Sequence, residues 1–198
     1  MTALKRNRQE NINTPAYWDR VYARERAAGR RRLYEDLWRP MLLYLPQGSH
    51  TLVDVGCGAG EFLKFLSRHR PEYQLFGTDI SAEGLLTAGQ NCPGASLHLA
   101  SGDSFNLPHG KFDIAVVSEV MEHVAEPAPF LSRVIDLLKP AGLLLITTPW
   151  KWGSSDPEHV WDYEGPEDFV SLGRGRVQLM GSAVANRGFT LITVLYRG

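Results

Sequence analysis

Thr51-Leu52-Val53-Asp54-Val55-Gly56-Cys57-Gly58-Ala59-Gly60-Glu61-Phe62 is the stretch against which the rest of the chain can be ordered. Its first half, Thr51 to Val55, is a short apolar run with β-branched residues, broken by one acid. Such a run suits a strand buried in a parallel sheet. Three glycines at alternate positions follow, and then Phe62, Leu63, Phe65 and Leu66 recur at helical spacing. Strand, glycine turn and helix together place a ligand at the carboxyl edge of a sheet. Glycine permits a tight turn and lets a ligand approach bare backbone.

The spacing narrows the ligand. In a dinucleotide fingerprint, G-x-G-x-x-G, the third glycine counted from Gly56 would stand at position 61, where the chain has Glu61. The pattern present is G-x-G-x-G, with Asp54 two residues before the first glycine. A carboxylate there repels a pyrophosphate and suits a cationic ligand group. A glycine-rich turn with no ligand is the plainer alternative. The stretch resembles motif I of the class I S-adenosylmethionine-dependent methyltransferases, D/E-x-G-x-G-x-G. The resemblance implies that Asp54, Gly56, Cys57, Gly58 and Gly60 contact that cofactor.

At 198 residues with 43% hydrophobic content, the chain suits one well-buried domain better than two. A helical cap is expected over residues 1–45 and a methyltransferase domain over 46–198. The formal net charge of -1 offers no global field for nucleic acid or membrane, and neither is expected as a stable partner. Ten of the 21 Lys and Arg residues nevertheless lie within positions 1–39, including Arg30-Arg31-Arg32. They read as a solvated N-terminal segment or as a guide for an anionic substrate. Two cysteines, Cys57 and Cys92, give no disulfide framework, and a reduced cytoplasmic setting is expected. No apolar stretch approaches a membrane span or the core of a signal peptide.

Thr14-Pro15 reads as an N-cap and first turn, opening a helix that carries Tyr17, Trp18, Val21 and Tyr22. A second helix is expected from Leu33 to Leu45, with a kink at Pro40. Strands are expected at 51–55, 74–79, 97–100, 112–118 and 143–148, alternating with helices after Gly60, Ser81 and Glu126. That rhythm predicts an α/β fold with a doubly wound, mostly parallel sheet. Beyond Tyr163 a helix begins near Pro166 and is interrupted by Gly173, Gly175 and Gly181. Phe189 to Tyr196 is the last strand.

The family resemblance covers about residues 50–165. It implies a Rossmann-like sheet of order 3-2-1-4-5. Asp79 ends the second strand about 20 residues past the glycines, where an acid accepts two ribose hydroxyls. A helix-capping Asp before Ser81 is the other reading. Asp103 matches the family acid that receives the adenine amino group, although a plain turn Asp fits the same spacing. Ile80 and Ser104 would flank the adenine, and Ser118 closes the implied cofactor set.

Ser118-Glu119-Val120-Met121-Glu122-His123-Val124 is similar to the branch holding the ubiquinone-biosynthesis O-methyltransferases and the small-RNA 2′-O-methyltransferases. Its E-x-x-E-H run is matched by Glu119, Glu122 and His123. Two carboxylates and an imidazole suit Mg²⁺ or Mn²⁺. His159 is a candidate fourth ligand, and a histidine that serves as wall or base is the alternative. A helical turn after the fourth strand would set Glu119 on one face with both partners. Family members end in a two-strand hairpin, but only one strand is evident here, so a reduced C-terminal region is expected. The segment Lys151 to Tyr163 is short for a quinone-precursor enzyme. Trp150, Trp152, Trp161 and Tyr163 read either as a pocket wall or as core packing.

The resulting expectation is an S-adenosylmethionine-dependent transfer to an oxygen of a small-molecule acceptor, with His123 or His159 as base. A catalytically silent binding module and a nucleotide-dependent oxidoreductase are the alternatives from other classes.

Overall fold

The computed structural model describes residues 5–6, 10–28, 35–100, 105, 107, 109–150 and 156–198. The expected sites at Asp103 and Ser104, the Arg30–Arg32 run and Trp152 lie outside the described residues.

Seven strands form one sheet: β1 (Thr51–Val55), β2 (Gln74–Asp79), β3 (Ser96–Leu99), β4 (Phe112–Ser118), β5 (Leu138–Pro149), β6 (Val177–Ala185) and β7 (Thr190–Arg197). Their order across the sheet is β3-β2-β1-β4-β5-β7-β6. The first five are parallel, and β7 runs antiparallel beside β5. Leu52 to Asp54 pair with both β2 and β4, so the Asp54 backbone lies between Gly77 and Val116 at the middle of the sheet. The order in which strands are added reverses at β1, and the turns leaving β1 and β4 open a crevice at the carboxyl edge of the sheet.

Both faces are covered, which explains the apolar strands. On one face α5 (Pro127–Leu137) packs Leu131, Val134 and Ile135, and α6 (Pro166–Leu172) packs Phe169, over Val53, Ala115, Val117, Leu144 and Ile146. On the other, α3 (Glu61–His69) contributes Phe62, Leu63, Phe65 and Leu66 against Leu52, Ile114, Val116 and Ile192. Leu37, Trp38 and Met41 join that second cluster. The Trp38 ring lies 5.6 Å from Phe62 and 5.8 Å from Phe65.

The N-terminal elements follow their sequence signals. In α1 (Pro15–Ala27) the Thr14 side chain accepts from the Tyr17 amide, and Pro15 fills the first turn. The second helix is split: α2 (Glu35–Trp38) passes into a 3-10 turn over Arg39–Leu43, because Pro40 cannot continue the α-helical bonding. No residue of α1 is buried. Polar bonds to the turn before α4 (Ala82–Asn91) and to the loop after β5 hold it: Asp19 to Ser81, Arg26 to Glu83, and Tyr17 to Glu158. A two-residue strand, Lys5–Arg6, pairs antiparallel with Trp161–Asp162.

The C-terminus departs from expectation. The hairpin is complete: β6 and β7 pair over Val177–Ala185 and Thr190–Arg197, joined by a 3-10 turn at Asn186–Gly188. The stretch expected as an interrupted helix ends at Leu172, and the glycines beyond it lead into a strand. Gln178-Leu179-Met180-Gly181-Ser182 carries no strand signature because β6 is an edge strand. It is bonded on one side only, exposed over much of its length, and shifts register between Leu179 and Gly181. Among the described residues no helix is long and apolar enough to cross a membrane.

Candidate functional site

Two cavities open at the carboxyl edge of the sheet, of about 560 Å³ and 320 Å³. Gly56, Glu119 and His123 line both, as do Trp18 and Tyr22 of α1.

The glycine turn is built for close approach. Gly56, Gly58 and Gly60 all have positive φ, at 80°, 51° and 72°, where side chains are strained. A Cβ on Gly60 would lie 2.9 Å from the Ala88 backbone, and one on Gly58 would run into the Tyr22 ring. The amides of Gly56 and Cys57 donate to the Thr78 carbonyl at 2.7 and 3.0 Å, fixing the turn to the end of β2. Asp79 completes this tie: its Oδ2 accepts from Gly58 N at 2.8 Å and its Oδ1 from Ser81 N at 2.8 Å. Asp79 therefore braces both turns while lining the smaller cavity beside Ile80. Burial raises its pKa against the pull of those amides.

Asp54 is 2% exposed, lines the larger cavity, and its Oδ1 has no hydrogen-bond partner. Burial, and then the Asp79 carboxylate, push its pKa up to about 8. A buried carboxyl so left asks for a cation. Cys57 lies inside the turn with its thiol pushed well above its ordinary value by burial and by Asp54, which makes it a packing residue and a poor nucleophile. Ser118 lines the larger cavity and shares a 3.0 Å hydrogen bond with Thr147 Oγ1.

The E-x-x-E-H run does not form the expected single face. The turn after β4 is a 3-10 turn over Met121–His123, and Glu119 precedes it with φ of 55°. Glu119 accepts from Thr147 Oγ1 at 2.9 Å. Glu122, His123 and His159 come together instead, with one ligand atom from each lying within 4.8 Å of the others. The loop after β5 brings His159 in, since Val160 N donates to the Glu122 carbonyl at 2.7 Å. Glu122 is 2% exposed and neither carboxylate oxygen has a hydrogen-bond partner. Burial, then Glu119, raise its pKa; burial raises that of Glu119. His123 Nδ1 stands 3.1 Å from the Glu158 carbonyl, which can only accept. Nδ1 thus carries the hydrogen, and the basic lone pair is on Nε2, 3.8 Å from Glu122 Oε1.

Within the aromatic cluster Trp161 and Tyr163 buttress the turn after β4 rather than wall a cavity. Trp161 Nε1 donates to the Val124 carbonyl at 2.7 Å, and Tyr163 Oη to that of Met121 at 3.1 Å. Tyr163 also stacks on Phe169 at 4.6 Å. Sequence reasoning missed Asp19 and Glu158, which anchor α1, and Asn186, Phe189 and Thr190, which bring the C-terminal hairpin into the larger cavity. The acid in Tyr17-Trp18-Asp19 was visible but gave no signal of its partner, which lies 62 residues away.

The residues present suit S-adenosylmethionine: a glycine cradle without room for side chains, an orphaned buried acid for an ammonium group, and an acid beside the apolar Ile80 at the end of β2. For a metal the assembled donors are two imidazoles and one carboxylate, a set that fits Mg²⁺ poorly and suits Zn²⁺ or Fe²⁺ at least as well as Mn²⁺.

The comparisons agree with the geometry. Residues 22–194 match the family described as "Methyltransferase domain". The ubiquinone biosynthesis O-methyltransferase of Rhodopseudomonas palustris (strain TIE-1) is 35% identical over 103 residues, covering 49% of this chain and 39% of the relative. The chain thus spans about two fifths of the length of the curated relatives it matches. Among solved structures, a Haloferax volcanii putative methyltransferase in complex with the Trm112 methyltransferase activator is 17% identical with a TM-score of 0.77, covering 93% of this chain and 97% of that one. The N-methyltransferase NodS from Bradyrhizobium japonicum WM9, in complex with S-adenosyl-L-homocysteine, is 17% identical with a TM-score of 0.67, covering 94% and 89%. At these identities the structural likeness is one of fold. A nucleotide-dependent oxidoreductase is displaced as a reading, and the chain belongs to the class I S-adenosylmethionine-dependent methyltransferases.

Proposed function

We propose that this protein methylates an oxygen of a small molecule held in the larger cavity. The observation that carries the reading is the shared wall: Gly56, Glu119 and His123 border both cavities, so a donor reaching from Ile80 in the smaller cavity to Asp54 in the larger one passes beside the acceptor space at His123. S-adenosylmethionine supplies an activated sulfonium methyl, so the chain's task is alignment and proton removal.

Asp79 and Ile80 are the residues to hold the adenosine part in the smaller cavity, and Asp54 the ammonium group. Asp103 and Ser104 remain candidates for the adenine. His123 takes the hydroxyl proton at Nε2, while the Glu158 carbonyl at Nδ1 fixes its tautomer. His159 packs on the His123 ring at 5.1 Å and holds it from the other side. Trp18 crosses His123 edge-on at 5.2 Å, so α1 belongs to the cap over the acceptor. Were a divalent ion held by Glu122, His123 and His159, it would lower the hydroxyl pKa and leave His123 a ligand.

The test is transfer of labelled methyl to a set of hydroxylated small molecules, by the native chain and by His123→Ala. Label on oxygen with the native chain and its loss in the variant support the reading. Label found only on nitrogen or carbon, or unchanged turnover in His123→Ala, rejects it. No transfer at all would favour a silent binding module.

A further inference from the structure

The wall of the larger cavity is far more acidic than donor binding requires. Besides Asp54 and Glu119, it carries Glu25, Glu61, Glu122, Asp156 and Glu158. Arg26 is the single Lys or Arg among its described lining residues, and its guanidinium is paired with Glu83. Glu122 is the anchor of this wall: nearly sealed from solvent, it lines the cavity with both carboxylate oxygens unbonded. Trp18, Tyr22 and Trp38 lie along the same wall.

We infer that the acceptor is an organic cation, a small hydroxylated molecule bearing an ammonium group that seats against Glu122. This rests on the reading of the larger cavity as the acceptor space. Acids interleaved with aromatic faces recognise organic cations, through charge and through the ring quadrupole. A compact metal ion would need the three donors at Glu122, His123 and His159 only. It would make no direct use of the Trp18 and Tyr22 rings beside them.

The probes are phenethylamine and its neutral counterpart phenethyl alcohol, added in chelator to protein saturated with S-adenosylhomocysteine. Each is followed by thermal stabilisation and by calorimetry. The amine is expected to bind tighter by roughly tenfold or more, the effect of one charge-assisted hydrogen bond. Glu122→Gln, which keeps the shape, should remove that preference. Asp156→Asn, changing an acid that is 38% exposed, should reduce it in part, and it carries the test if the first variant does not fold. Equal binding of the two probes, or a preference for the alcohol, overturns the inference. So does tight Mn²⁺ binding that needs Glu122, His123 and His159 together and removes any amine preference. Labelled-methyl transfer to hydroxylated acceptors is scored separately. Transfer to neutral acceptors without amine preference sinks this inference and leaves the methyltransferase reading standing.

Discussion

The Asp19 carboxylate accepts a 2.6 Å hydrogen bond from the hydroxyl of Ser81, the residue whose side chain caps α4. The same Asp19 oxygen accepts from Glu83 N at 3.1 Å. A residue of α1 thus extends the N-cap of a helix 62 positions onward, beside Asp79 and Ile80. Because no side chain of α1 is fully buried, such polar bonds carry much of its attachment, beside the half-buried Trp18 and Tyr22 rings. Asp19→Ala should leave the global melting temperature almost unchanged, since a solvent-screened pair contributes about 1 kcal/mol or less. Hydrogen exchange within α1 should nevertheless accelerate, and S-adenosylhomocysteine should bind more weakly. Unaltered exchange in α1 would mean that other contacts suffice.

Asp79→Ala should cost both ligand affinity and stability. It removes the acceptor proposed for the ribose hydroxyls and strands Gly58 N and Ser81 N. Each lost charge-assisted bond contributes about 1.5–3 kcal/mol, partly offset by water. Calorimetry with S-adenosylhomocysteine should show a loss of about 2–4 kcal/mol in affinity. Affinity within error of the native chain would reject the ribose assignment.

Ligand binding should expel a proton. In the ligand-free protein the Asp54 carboxyl has its pKa pushed up to about 8, so at neutral pH it is mostly protonated. An ammonium group seated against it favours the ionised form and lowers that pKa. Binding below about pH 8 therefore releases a proton, and affinity rises with pH by up to about one log unit per pH unit. The check is the binding enthalpy in buffers of different ionisation heat. Asp54→Asn should flatten the pH dependence while weakening binding, and a native chain with no proton release would refute the role.

Gly56→Ala meets two obstacles. Its φ of 80° is left-handed backbone, which costs a residue with a Cβ roughly 1–2 kcal/mol. The added methyl also meets the branched side chain of Val120, in the turn between β4 and Glu122. Binding of S-adenosylhomocysteine should fall sharply while the variant still folds. A paired change, Val120→Ala, should relieve the clash but not the backbone strain. Recovery of full affinity in the double variant would show that strain is negligible there.

His123→Ala should lower kcat by about 10²–10⁴ with little change in cofactor affinity. His159→Gln should lower it less, because His159 touches the base rather than the acceptor. Native activity that is lost in chelator and restored by added Mn²⁺, with no restoration in either variant, would move the histidines from proton transfer to metal binding.

Much of this molecule is local and therefore legible in the sequence. Thr51 to Phe62 declares strand, turn and helix because three alternate glycines, all at positive φ, lie between a β-branched run and a helical stripe. Asp54 and Asp79 could be placed at the cavities because their positions follow from that turn. Pro40 and Thr14-Pro15 marked a break and a start, since proline acts through its own ring and missing N–H. What the sequence could not supply is whatever depends on pairing across space. The edge strand β6 owes its existence to β7, and without that partner Gln178 to Ser182 has neither the alternation nor the β-branching of a strand. The E-x-x-E-H run named residues that line the larger cavity but not their grouping: a left-handed Glu119 turns to Thr147, and His159 takes its place by a backbone bond between Val160 and Glu122. Spacing fixes which residues can share a helical face. The chain's return past β5, a matter of tertiary packing, decides which of them meet.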